Sequence, residues 1–153
     1  NICLSMLKAY ESQIVRHTTV IIGDYNIISN SKNSKPVFQW MESHNLKSAH
    51  HAFCDEEIGK EQKSTYYHQY KESAPFFIDY AFTNAEVKKY KLYAWDESGR
   101  MSDHVPLMVE IWNDNKGADN DGFLFADRYW SHLTFMKFKK TKGNNFSTPT
   151  IHN

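Results

Sequence analysis

Three short motifs in the sequence place side chains that could carry out acid–base or metal chemistry beside predicted strands. The first, GDYN, puts Asp24 and Asn26 two residues apart, directly after a β-branched run. Side chains two residues apart on an extended backbone point the same way. The carboxylate can then act as a base or a metal ligand while the amide donates a neutral hydrogen bond. Since Gly, Asp and Asn also form ordinary turns, this motif alone does not establish a site.

The second motif is FFIDYAF, in which Asp79 interrupts an apolar run with the character of a strand. Burying a carboxylate is costly unless a cationic or hydrogen-bonding group compensates its charge. The sequence therefore predicts a partner for Asp79, and a histidine is the obvious candidate.

The third motif, SDHVPL, places Asp103 and His104 immediately before a strand, with Pro106 restricting the backbone ahead of it. Beside a phosphate, such a carboxylate can bind a metal ion while the imidazole donates a hydrogen bond. We expect the side chains of the three motifs to converge at strand ends on one edge of a single layer. They are Asp24, Asn26, Asp79, Asp103 and His104.

The elements that must position these side chains follow from hydrophobic periodicity. Apolar residues at helical spacing predict an N-terminal helix, with the face Cys3, Met6, Leu7, Tyr10 and Ile14. The β-branched run 18–22 predicts a strand covered on both faces and stopped by Gly23. Pro36 predicts the first turn of a helix that reaches about His44 and has Val37, Phe38 and Met41 as its apolar side.

The remainder of the patterned sequence reads as short β segments at 48–53, 65–70, 77–83, 87–93 and 107–111. An order of helix, strand, helix and then mostly strands predicts an α+β domain. Residues 113–153 carry no clear period and are predicted to form a tail. Its basic run is predicted to be a solvated segment rather than a phosphate-binding one, and comprises Lys137, Lys139, Lys140 and Lys142.

Composition narrows the possible partners. Eighteen basic and eighteen acidic residues balance, so no overall field would gather a polyanion, and nucleic acid is permitted as a substrate without being indicated. No apolar run is long enough for a membrane span. Cys3 and Cys54 are predicted to be two reduced thiols, because they lack metal or disulfide spacing. These features favour a soluble, cytoplasmic protein.

In this order and within these strands, the three motifs resemble the GDxN, IDY and SDHxP blocks of the endonuclease/exonuclease/phosphatase superfamily. The resemblance extends over roughly residues 10–112. It implies a DNase I-like layered α/β sandwich, of which residues 1–112 would form the C-terminal half, a sheet with helices on one face.

By the same resemblance the activity is metal-dependent hydrolysis of a phosphoester, in particular a phosphodiester. Asp24 would orient or deprotonate the attacking water, and Asn26 would steady the transition state. Asp103 would hold the divalent metal together with Asp24 and Asn26, while His104 would contact the scissile phosphate and be oriented by Asp79. Oxygen-rich sites that act on phosphates favour Mg²⁺, with Mn²⁺ as the substitute.

The family's N-terminal half, which supplies a metal-binding glutamate and an asparagine, has no counterpart in this sequence. The chain begins at Asn1 within a helical pattern, which indicates a start inside a longer gene product. We therefore expect an incomplete site, feeble activity in isolation, the missing half as a partner, and an uncovered sheet face prone to self-association. A non-catalytic remnant or binding module of the same fold is the alternative.

Several other features have ordinary structural interpretations. Motifs typical of inositol polyphosphate 5-phosphatases and of apurinic endonucleases are absent around Asp79, so nucleic acid, lipid headgroups and small phosphoesters all stay open as substrates. His50 and His51, adjacent on a predicted strand, would point to opposite faces and could not share an ion. Tyr66, His68 and Tyr70 are predicted to alternate onto a sheet face.

Overall fold

The computed structural model describes residues 2–16, 18–97 and 100–112, so the predictions for the tail at 113–153 lie outside the described residues. The helices are α1 (Ile2–Ala9), α2 (Glu11–Ile14), α3 (Ser34–Ser43) and α4 (Ala49–Cys54), with a 3₁₀ turn at His68–Tyr70. The strands are β1 (Val20–Asp24), β2 (Lys47–Ser48), β3 (Tyr66–Tyr67), β4 (Pro75–Phe76), β5 (Asp79–Thr83), β6 (Val87–Leu92) and β7 (Leu107–Ile111).

The strands form three small antiparallel sheets, in the orders β1-β5-β2, β3-β4 and β6-β7. An isolated bridge between Tyr66 and His104 links β3 to the segment that precedes β7. The predicted α+β class is confirmed. The site residues come from two of these sheets, because Asp79 belongs to the first and His104 is bridged to the second.

Strand β1 differs from its prediction in extent and burial. It continues through Gly23, which pairs with Tyr80, and ends with Asp24 opposite Asp79. All five of its residues are half-buried, in keeping with a position at the edge of the sheet, whereas all of central β5 is buried. Asp24 is consequently part of the strand ladder rather than of a turn after it.

The predicted helices at the N-terminus and around Pro36 are present. The first is divided at Tyr10 into α1 and α2, and of its predicted apolar face Leu7 is buried while Met6 is 52% exposed. Pro36 lies in the first turn of α3, as expected, and the side chains of Val37 and Met41 are fully buried. The core around them extends to β5, β6 and β7 through Tyr80, Phe82, Tyr90, Leu92, Leu107 and Val109.

The strand predicted at 48–53 is wrong, because only Lys47–Ser48 is extended and the chain then forms α4. This short helix packs against β5 and β6 and buries Ala49 and His50. His51 fills a structural role, as predicted, though on a helix. Its Nε2 lies 3.0 Å from an oxygen of Glu61, which ties α4 to the following loop.

The strand predicted at 65–70 stops after two residues. Gln69 and Tyr70 adopt left-handed backbone angles, with φ of 53° and 58°, and end the extended conformation. Tyr66 and His68 do not share a strand, because His68 begins the 3₁₀ turn, although the Tyr66 hydroxyl lies 2.7 Å from His68 Nδ1. The remaining strand predictions hold within two residues, apart from the separate strand β4. Among the described residues, none of the helices is long and apolar enough to span a bilayer.

Candidate active site

The register of β1 and β5 brings two acids together at the end of the first sheet. Asp24 and Asp79 are direct partners in the antiparallel ladder, which places their Cβ atoms about 4.5–5.5 Å apart. Burial is the main cause that raises the pKa of Asp24, and the negative charge of Asp79 raises it further. Hydrogen bonds from Asn26 and the charge of His104 oppose this rise without cancelling it. A carboxylate with a raised pKa is a stronger base, which suits proton removal from water.

Asn26 turns back onto Asp24 just after the strand. Its backbone N–H donates to Asp24 Oδ1 at 2.8 Å, and its side-chain amide donates to Oδ2 at 2.9 Å. Asn26 has a φ of 51°, a left-handed conformation that asparagine tolerates better than most residues. Both oxygens of the carboxylate are thus oriented by one neighbour, so the predicted pairing of acid and amide is present.

Asp79 and His104 form the buried pair that the interrupted apolar run predicts. His104 Nδ1 lies 3.1 and 3.0 Å from the two oxygens of Asp79, and the side chains are only 10% and 12% exposed. With Nδ1 held by the carboxylate, Nε2 is the ring nitrogen that can donate to a phosphate oxygen. The prediction of hydrogen-bond contact between Asp79 and His104 is confirmed.

The charge around His104 favours its protonated form. Burial lowers the pKa of the imidazole, but the hydrogen bond to Asp79 and the charges of Asp79, Asp24 and Asp103 outweigh it. The net result is a pKa raised above its usual value of 6.5. Since three acids from different segments act on one imidazole, the predicted side chains do converge in space.

Asp103 is positioned through the backbone on both sides of it. Its carbonyl accepts the N–H of Tyr67 at 2.7 Å, and the next N–H, of His104, donates to Ser102 Oγ at 3.0 Å. The Trp95 indole N–H donates to the Ser102 carbonyl at 2.8 Å, and its ring stacks on Tyr67 with centroids 4.3 Å apart. This packing anchors the SDH motif against β3.

Thr65 is a structural support of this group whose role the sequence does not reveal. The side chain is completely buried, and its hydroxyl accepts the backbone N–H groups of Ile78 at 2.9 Å and Asp79 at 3.0 Å. Its carbonyl accepts the N–H of Val105 at 2.7 Å, and its own N–H donates to the Phe76 carbonyl at 2.9 Å. Thr65 therefore joins the segment before Asp79 to the segment after His104, over separations that no local pattern encodes.

Substituting valine for Thr65 tests this clamp. Valine preserves the shape but leaves two buried N–H groups without an acceptor, so we expect a loss of about 2–4 kcal/mol in the free energy of unfolding. Thr65→Ser retains the hydroxyl and should lose much less. Urea denaturation of both variants measures the difference, and a loss in Thr65→Val no larger than that in Thr65→Ser would show that the hydroxyl hydrogen bonds are not what stabilises this position.

Tyr66 forms an aromatic wall beside the pair. Its ring centroid is 4.6 Å from that of His104. Burial raises the pKa of Tyr66, and the charges of Asp103 and Asp24 add to the rise. The phenol therefore lies within electrostatic reach of both acids, on a sheet face where its ring also stacks on that of Phe76.

The donors at this site suit a hard divalent cation that also binds substrate. Asp24 and Asp103 provide carboxylate oxygens, and Mg²⁺ commonly uses one or two carboxylates together with waters and substrate phosphates. Within the described ranges, no group of three or more His, Cys, Asp or Glu side chains is placed to hold a metal ion. The residues fit a cation held jointly with a phosphate better than a closed protein cage.

Comparison of the chain with protein-family models, with curated proteins and with solved structures found no match.

Proposed function

We propose that this chain carries the acid, amide and histidine portion of a metal-dependent phosphoester hydrolase site of the endonuclease/exonuclease/phosphatase type. The observation that supports this most is the buried Asp79–His104 pair at the strand end where Asp24 stands opposite Asp79. A buried histidine held by one acid and adjoined by a second, more basic acid is suited to phosphate binding and to activation of water.

Each side chain has a defined part in the proposed reaction. Asp24, oriented by Asn26, takes a proton from the attacking water. His104, whose protonated form Asp79 stabilises, donates from Nε2 to a phosphate oxygen and offsets the negative charge that grows there. Asn26 adds a neutral donor from its amide. A divalent cation, held by Asp103 and Asp24 with Asn26 nearby, would neutralise phosphate charge.

The resemblance to this superfamily also implies an architecture and a second half of the site. The sheets and helices would form the C-terminal half of a DNase I-like sandwich, and an N-terminal half would add the glutamate that completes the cation site. A phosphodiester is the preferred substrate class. Because the chain has no net charge, the phosphoester itself rather than a long polyanion is the feature to recognise.

One observation favours the alternative of a non-catalytic member of the same fold. Both Asp24 oxygens are engaged by hydrogen bonds from Asn26. The two candidates differ in whether a cation raises phosphodiester turnover.

Hydrolysis of bis(4-nitrophenyl) phosphate, measured for this chain and for the full gene product, discriminates between them. We expect activity that EDTA removes and that Mg²⁺ or Mn²⁺ restores, with the isolated chain slower by about a thousandfold for lack of a fixed cation. His104→Gln in the full product should lose most turnover, whereas Glu42→Gln, on the exposed side of α3, should lose none. Activity that survives EDTA, or an isolated chain within about tenfold of the full product, would contradict the metal-centred account.

A further inference from the structure

Helix α4 brings two soft metal-binding groups together on one face. His50 and Cys54 are one helical turn apart, and the Cys54 Sγ lies 3.8 Å from His50 Nδ1. As a strand, this segment would also place the two residues on one face but farther apart than a shared ion allows. The helix closes that distance and directs both groups into a cavity of about 390 Å³.

Glu56 holds the imidazole from the other side. His50 Nε2 lies 3.1 Å from Glu56 Oε2, which also accepts the backbone N–H of Gln62 at 3.3 Å. The His50 side chain is only 4% exposed, so its orientation is set by this contact and by packing against Phe77. A carboxylate on one ring nitrogen is the usual support behind a histidine whose other nitrogen binds a metal.

Tyr90 provides an independent indication of a ligand in the same cavity. The residue is 8% exposed, and its buried hydroxyl has no hydrogen-bond partner among the described residues. Its ring centroid is 5.2 Å from that of His50, and it lines the cavity together with Cys54 and Glu56. Buried hydroxyl groups are normally bonded, so this one is an unmet hydrogen-bonding position in the residues that line the cavity.

We propose that His50 Nδ1 and Cys54 Sγ form a binding site for a soft divalent cation of the zinc class, separate from the hydrolase site. Tetrahedral Zn²⁺ with ordinary bond lengths holds a sulfur and a nitrogen ligand about 3.6 Å apart, close to the observed separation. The thiol releases its proton to solvent on binding. Waters complete the coordination.

Thiolate and imidazole ligands select zinc over magnesium, which prefers oxygen. With two protein ligands and an open side toward solvent, the site is expected to bind the ion reversibly rather than as a permanent structural element. The proposal does not rest on the hydrolase function, since none of its residues belongs to the group around His104.

Titration of the intact 153-residue chain with Co²⁺ tests the site, because a cobalt–thiolate bond produces a near-ultraviolet charge-transfer band. We expect a band that saturates at one equivalent and is displaced by Zn²⁺ but not by Mg²⁺. Cys54→Ser should abolish it, while Cys3→Ser, which removes the other thiol of the sequence, should leave it unchanged. Glu56→Gln should weaken binding by about 10- to 100-fold.

Cys54 is exposed, so its serine variant should fold, which circular dichroism verifies. No band in the unmodified chain, a band that persists in Cys54→Ser, or a band lost in Cys3→Ser would each overturn the proposal. Cys54→Ser should lose the cobalt band and keep its Mg²⁺-dependent hydrolysis. Failure of the proposed zinc-class site can then be distinguished from failure of the proposed hydrolase function.

Discussion

Asp24→Asn is expected to remove nearly all hydrolysis and, at neutral pH, to make the fold more stable. The carboxylate is the proposed base, and an amide cannot take a proton from water. Loss of a general base together with a cation ligand should lower turnover by about a thousandfold or more. The same substitution removes a charge that the folded protein disfavours, as burial and Asp79 raise the pKa of Asp24 above its usual 3.8.

The sign of the stability effect follows from this raised pKa. Because the folded protein binds the Asp24 proton more tightly than the unfolded chain does, its stability falls as pH rises through the usual pKa toward the folded one, and stays lower above that. The advantage of Asp24→Asn should therefore be present at about pH 7 and vanish near about pH 3.

Urea denaturation at both pH values, together with turnover of bis(4-nitrophenyl) phosphate by the full gene product, measures the two effects. Glu42→Gln makes the same chemical change on exposed α3 and should alter neither quantity. Turnover within about tenfold of the unmodified protein would exclude Asp24 as the base. Lower stability at neutral pH would show that the Asn26 hydrogen bonds outweigh the burial of charge.

Asp79→Asn should reduce turnover by about a hundredfold to ten-thousandfold while altering the pH dependence of His104. In a serine protease triad, the equivalent acid-to-amide change costs about ten-thousandfold because the histidine is held in the wrong tautomer. Here the hydrogen bond to Asp79 keeps the pKa of His104 above 6.5, so its loss should lower that pKa. The alkaline limit of activity should move to lower pH.

The raised pKa of His104 also contributes stability that is fully present below 6.5 and is lost as pH rises through the folded value. The penalty of Asp79→Asn should hence be larger at about pH 6 than at about pH 9. Proton NMR titration of the His104 ring reports the pKa directly. An unchanged His104 titration with lost activity would mean that Asp79 acts on something other than this imidazole.

Local sequence determined those helices, strands and buried charges that depend on the residue types within one short segment. An apolar run around Asp79 requires a partner for the carboxylate, because burial without one is too costly, and His104 is that partner. The spacing of Val37 and Met41 after Pro36 is sufficient for α3, and the apolar residues at 107–111 for β7, since each has a strong periodic pattern.

Tertiary structure alone decided features that rest on contacts between distant residues. Residues 48–53 are too few for their pattern to choose between strand and helix, and packing against β5 and β6 selects the helix. That choice places His50 beside Cys54. Thr65 has no motif of its own, yet its hydrogen bonds reach Ile78, Asp79 and Val105.

The register of β1 against β5 is the clearest feature that tertiary structure decided. The motifs show that Asp24 follows a β-branched run and that Asp79 interrupts an apolar one, but only the pairing of the two strands places them opposite each other. A slip of one residue would turn one acid to the other face of the sheet. The sequence therefore holds the chemical identity of each residue. The burial that raises the pKa of Asp24, the added charge of Asp79 and the contact with Asp79 that raises the pKa of His104 all came from the fold.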